Sequence, residues 1–236
     1  MCLIVGTTLA MVFSLLEPGG PFVNPVTTTD AFDVISAMAE GAAFSHVTAT
    51  ILTFAMVPIF YGFVQIWRSA PDESATHFLI RIGILSSALA LLCFTLTRGL
   101  THIILHIVQH ETNPEAPIQA SSYTLLSLKV ALRYSGSLFL HTGLLLLAIG
   151  LSIRFPRGFQ KIVALLVIVI STIGVIAAII TEHVHGTDFQ LIFRLNRSLI
   201  SVSSIWLIVL GIGMYRGIAA LNPSASSGSE ANSRPR

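Results

Sequence analysis

Arg98, His102, His106 and His110 recur every four residues in the stretch TRGLTHIILHIVQH, residues 97–110. On a helix that spacing drifts by about 40° per step, so the four side chains share one broad face. His102 and His106, one turn apart, can both reach a single Zn2+ or Cu2+ at about 2.0–2.1 Å. A third ligand would come from His110, or from Glu182, His183 or His185 in the segment TEHVHG. Such a site would make the chain a metal-dependent membrane enzyme (zinc, copper or iron) in which metal-bound water works with a carboxylate base. The residues between the two histidines are Ile103, Ile104 and Leu105, so no H-E-x-x-H motif accompanies them. Arg98 and Lys129 would also repel a cation. A bis-histidine haem is disfavoured. His141 lies about 12 Å deeper than Arg133 by helical rise, whereas His46 and His183 sit near the boundary of the apolar segments.

A second chemistry is anion binding. Thr50 and Thr53, Ser137 and His141, and Ser201 and Ser204 are spaced by three or four residues, which puts each pair on one helix face. Arg98, Arg133 and Arg197 fall near one level and would rim an outward-facing polar pocket floored near His141. The ligand-binding set is then Arg98, Arg133, Ser137, His141, Arg197 and Ser201, and the ligand a small anion or a lipid headgroup held by planar guanidinium forks. Against both chemistries stands a plainer reading. Ser and Thr are ordinary residues of packed membrane helices, and basic side chains gather at helix ends, where they snorkel. Snorkelling leaves the histidine bias unexplained. Of eight histidines, only His77 falls on the inner side, and interfacial anchoring favours Trp, Tyr, Lys and Arg instead.

The elements that must position these residues are membrane helices. Of the 236 residues, 53% are hydrophobic and only 10% charged, and the mean hydropathy is +0.82. A soluble domain carries roughly 25% charged residues, so lipid must be the solvent for most of this chain. A net charge of +2 without any basic run gives no footing for nucleic acid. Cys2 and Cys93 build neither a redox pair nor a disulfide framework. No phosphate loop, dinucleotide fingerprint or nucleophile elbow occurs.

Apolar runs read as six spans, at about 1–16, 44–67, 78–98, 133–153, 162–182 and 196–215. The first is short. It lacks a basic n-region and a small-residue cleavage site, which makes a signal peptide the weaker reading; either it ends deeper in the bilayer or the true start lies upstream of Met1. The expected fold is an all-α polytopic bundle, one membrane domain over 1–221 followed by a disordered cytoplasmic tail, 222–236. With the N-terminus inside, eight basic residues fall on the cytoplasmic side, and Arg98, Lys129, Arg133, Arg194 and Arg197 outside. The positive-inside rule then favours a plasma (inner) membrane protein with both termini cytoplasmic. Twenty residues of the third span end near Arg98, which leaves His102, His106 and His110 about 6, 12 and 18 Å beyond it. The third and fourth helices thus project on the outer side as a hairpin, its tip set by Pro114 and Pro117. In the outer loop before the second span, Phe32, Ile35 and Met38 recur at helical spacing and predict a short interfacial helix. Pro58 is expected to kink the second span. Three functions fit this frame: binding or passing an anionic or lipidic ligand, the metal enzyme above, or an accessory subunit whose polar hairpin meets a membrane-protein partner.

Overall fold

The computed structural model describes the backbone of residues 1–18, 22–23, 25–26, 31–69, 75–110, 117–181, 183 and 187–217, with all their side chains but those of 31–32, 75, 110, 117–120 and 187–190. The described chain is helical: α1 (Cys2–Leu15), α2 (Ala31–Glu40), α3 (Ala42–Ser69), α4 (Ala75–His110), α5 (Pro117–Arg154), α6 (Phe159–Thr181) and α7 (Thr187–Tyr215). Helices α3 to α7 are each long and apolar enough to cross a membrane. Their outward faces carry large apolar side chains at helical spacing, such as Leu85, Leu89, Leu92 and Leu96 on α4 and Leu166, Val169, Ile173, Ile176 and Ile180 on α6. In water that surface would be a liability; against lipid it is the matching solvent. The protein is a multi-pass integral membrane protein.

The 14 residues of α1 reach about 21 Å, short of the roughly 30 Å hydrocarbon layer. What holds α1 is close packing. A Cβ on Gly6 would lie 2.8 Å from the Ala55 carbonyl oxygen of α3, and one on Gly211 of α7 would meet Ile4 at 2.7 Å. Contacts run α1 to α3, α3 to α4, α4 to α5, α5 to α6, α6 to α7 and α7 back to α1, so six helices close a ring. Leu3, Phe63, Ile80, Leu144, Leu151 and Trp206 belong to its main apolar core.

The lengths of α4 and α5 agree with a projecting hairpin. At 36 and 38 residues they measure about 54 and 57 Å, far more than one crossing requires. Pro117 begins α5 rather than ending α4, the position where a missing N–H costs nothing and the fixed φ favours a first turn. Pro114 lies outside the described residues. Helix α3 continues through Pro58 to Ser69. The short helix expected around Phe32, Ile35 and Met38 exists as α2, and it is docked on the α4–α5 hairpin. Met38, with Val34 and Ile35 packed beside it, joins Ile104, Leu105 and Leu126 of the hairpin in a second apolar cluster. Ser45 Oγ donates to the Met38 carbonyl at 3.1 Å and fixes the corner between α2 and α3.

Candidate functional site

A cavity of about 120 Å3 lies inside the ring, walled by α1, α3, α4, α5 and α7. Its two ends differ in chemistry. Arg98, Lys129, Arg133 and Arg197 line one end. Leu91, Leu140 and Leu207, about 10–16 Å further along the same three helices, line the other with Ile59 and Phe63 of α3. A cationic end thus stands over an apolar floor. The cationic end lies about 33 Å by helical rise from Thr76, where the α4 span begins. That is one membrane thickness, so a bilayer entered at Thr76 would end near the guanidinium groups.

These cations come together because α1 ends beside them. Glu17 stands two residues past Leu15, and its carboxylate accepts a hydrogen bond from Arg98 Nη1. The same oxygen is 3.7 Å from Lys129 Nζ. Arg197 Nη2 donates to the Ser14 carbonyl at 2.7 Å, filling one of the orphan acceptors at the helix C-terminus. Arg133 lies over the Phe193 ring at 5.0 Å, a cation–π contact from α7. Lys129 Nζ is also 3.8 Å from Met38 Sδ, so α2 covers this end of the ring. Glu17 lies outside the membrane-spanning segments. Burial works to raise its pKa, but Arg98, then Lys129 and Arg133, together hold it well below the usual carboxylate range. The carboxyl is therefore ionised, and among the described residues the cluster carries four cations against one anion.

The six residues expected to bind ligand divide into two groups. Arg98, Arg133, Arg197 and Ser201 line the cavity. Ser137 and His141 do not; they turn towards α6 and α7. Residues four apart drift by about 40° each, so the stripe from Lys129 through Arg133 and Ser137 to His141 winds from the cavity round to the α7 side. There Asn196 Oδ1 lies 3.0 Å from both His141 Nε2 and Ser137 Oγ, and Asn196 Nδ2 donates to Ser137 Oγ at 2.7 Å. The His141 ring is seated on Gly174 of α6, whose missing Cβ makes the space. Of the hydroxyl ladder, Ser201 and Ser204 line the cavity, but their donors are spent within α7. Ser201 and Ser204 donate to the carbonyls of Arg197 and Ile200 in their own helix, and Thr53 does the same to Ala49.

The histidine ladder also separates. His102 Nδ1 lies 2.6 Å from His46 Nδ1, and the two rings stack at 4.9 Å. One nitrogen must carry the proton that the other accepts. The pair ties α3 to α4 one turn beyond Arg98. Thr50 Oγ1 is 3.5 Å from His102 Nε2 on its other side. His106 follows one turn later, and His183 sits exposed in a turn after α6. The His110 side chain, Glu182 and His185 lie outside the described residues. Among the described residues no three His, Cys, Asp or Glu side chains are grouped to hold a metal ion.

Reading the sequence missed Glu17 and Asn196 as partners. Glu17 sits in EPGGP, where the prolines and glycines signalled only the end of a helix. Asn196 lies in RLNRS, read only as the start of a span. A polar residue with no neighbour at helical spacing gives no local signal of its partner. Comparison with known proteins finds no matching family model, no matching curated protein and no matching solved structure.

Proposed function

We infer that the protein binds an anionic amphiphile or small anion in the ring cavity, with the anionic group between Arg98, Lys129, Arg133 and Arg197 and any apolar portion on the Leu91, Leu140 and Leu207 floor. The observation that carries this reading is the imbalance, among the described residues, of four cations against one carboxylate at the end of an apolar cavity. Buried cations are costly unless paired, and an anion from outside supplies the missing pairs. Guanidinium forks favour carboxylate and phosphate oxygens, which they bind two at a time. An empty apolar cavity of about 150 Å3 accepts a benzene-sized molecule, so the described cavity suits a compact apolar group behind the charge. On the orientation read from the basic residues, this end of the ring faces the outer side of the membrane.

The test is calorimetry on protein purified in a nonionic detergent, with hexyl phosphate as probe and hexanol as its neutral match. Hexyl phosphate should bind and hexanol should not. Arg133→Gln, which removes a cavity cation that no carboxylate of the described residues contacts, should weaken binding by about tenfold, the order of one charge-assisted hydrogen bond. Equal heats from phosphate and alcohol, or an Arg133→Gln variant that binds as the parent does, would exclude an anion site here.

A further inference from the structure

The anion-site reading leaves one charged group unused. Among the described residues Glu17 is the carboxylate in contact with the cluster, and it holds Arg98 and Lys129, both of which also line the cavity. Arg133 and Arg197 are held otherwise, by the Phe193 ring and by the Ser14 carbonyl. Glu17 is carried on the chain just beyond α1, so it is held beside its two cations and, as a tethered group, is never diluted. Any ligand anion must displace it or share its partners.

We propose that Glu17 is a tethered competitor for the ligand's headgroup, and that it makes the cavity selective for a phosphate monoester over a carboxylate of equal chain length; this rests on the anion-site reading above. A carboxylate brings one charge and one two-oxygen fork, the same chemistry that Glu17 already presents. It gains nothing by exchange with a group that is never diluted. A phosphate monoester brings about 1.5–2 negative charges and three acceptor oxygens. That is enough to engage Arg133 and Arg197 while Glu17 keeps or yields the other two cations. Four cations less one carboxylate leave a surplus of three charges, which a dianion meets better than a monoanion. In a site screened from water, each added charge counts for more than it would in bulk solution.

The experiment is calorimetry in a nonionic detergent at neutral pH, on the parent and on Glu17→Gln, with hexyl phosphate, hexanoate and inorganic phosphate. The parent should bind hexyl phosphate about tenfold more tightly than hexanoate, the scale of one unpaired charge interaction. In Glu17→Gln hexanoate should tighten by about as much, and the preference should shrink. Glu17→Asp keeps the charge but withdraws it by one methylene from Arg98, so it should move hexanoate the same way by less. The phosphate in nature could be free or borne by a lipid. Inorganic phosphate bound as tightly as hexyl phosphate supports a soluble ligand, a large preference for hexyl phosphate supports a lipid-borne one, and both support the charge selectivity. If the parent binds phosphate but the preference is unchanged in both variants, or if Glu17→Gln weakens both ligands, the competitor role is wrong while the anion site stands. No binding of any anion to the parent overturns both. Failure of both variants to fold would mark Glu17 as a structural counter-ion and overturn the competitor role.

Discussion

Asn196 serves two side chains of α5 at once, and its loss of either should be measurable. His141→Leu keeps the bulk of the ring but removes the nitrogen 3.0 Å from Asn196 Oδ1. The amide oxygen would keep only Ser137. A buried polar group left short of a partner costs about 1–3 kcal/mol, so the melting temperature in detergent should fall. A variant as stable as the parent would show that the network contributes no stability. The polar character of Ser137 and His141 was legible from their four-residue spacing. Their destination was not. Asn196 is 55 residues from His141 and 59 from Ser137, and only the packing of α5 beside α7 brings them together. Glu17 follows the same logic at 81 residues from Arg98. Spacing within a helix reports a shared face; it carries no information about which helix that face will meet.

At the scale of elements, the α4–α5 hairpin depends on glycines that let two backbones touch. Gly136, Gly143 and Gly150 of α5 recur every seven residues, and each faces α4. A Cβ on Gly136 would meet the Phe94 ring at 2.9 Å, and one on Gly150 would meet Ile80 at 2.7 Å. Gly143 is the tightest, because a Cβ there would lie 2.7 Å from the Gly83 carbonyl oxygen and from the Ser87 amide nitrogen. Ser86 Oγ adds a hydrogen bond of 2.8 Å to the Phe139 carbonyl across the same seam. Close approach through small residues is the common route to helix association in lipid, where no hydrophobic force separates a helix from its solvent. Gly143→Ala therefore should separate the helices and cost about 1–3 kcal/mol, as overpacking of a tight contact does. Gly99 is the internal control, since nothing lies within 4 Å of a Cβ built there. Gly99→Ala should be neutral or stabilise by about 0.5–1 kcal/mol through helix propensity. Thermal melts of the two variants in one detergent separate the effects; equal melting temperatures would remove the backbone-contact account. The lengths of α4 and α5 were largely legible, because a count of twenty apolar residues leaves the rest of each helix outside the layer. The glycine seam is visible in the sequence only as a spacing, and it acquires meaning once α4 supplies the opposing Gly83.

At the scale of the whole molecule, the ring closes through its shortest member. Helix α1 sits between α3 and α7, early and late in the chain, and without it the cavity would lack the wall carrying Thr7, Ala10, Met11 and Ser14. The expected apolar runs overlap α1 and α3 to α7, though α4 and α5 run 11–12 residues past them on one side; hydropathy could not order them, since every long apolar helix offers lipid and protein the same kind of surface. The direction in which the ring crosses the membrane is a separate matter and rests on the distribution of basic residues. Helix α6 offers the cleanest test of it. It is the most apolar span, and exposed residues flank it at opposite ends: Arg157 before Phe159, and His183 after Thr181. In a background with Cys2 and Cys93 replaced by serine, Arg157→Cys and His183→Cys supply one thiol each. With the termini in the cytoplasm, a membrane-impermeant maleimide added to intact cells should label the thiol at position 183 at once. It should reach position 157 only after the membrane is opened. The reverse pattern would invert the protein and turn the arginine cluster towards the cytoplasm, where a different pool of phosphates waits. Labelling of both from one side would mean that α6 does not cross. The His141 ring would then lose its seat, because α6 brings Gly174 under it while packing on both α5 and α7.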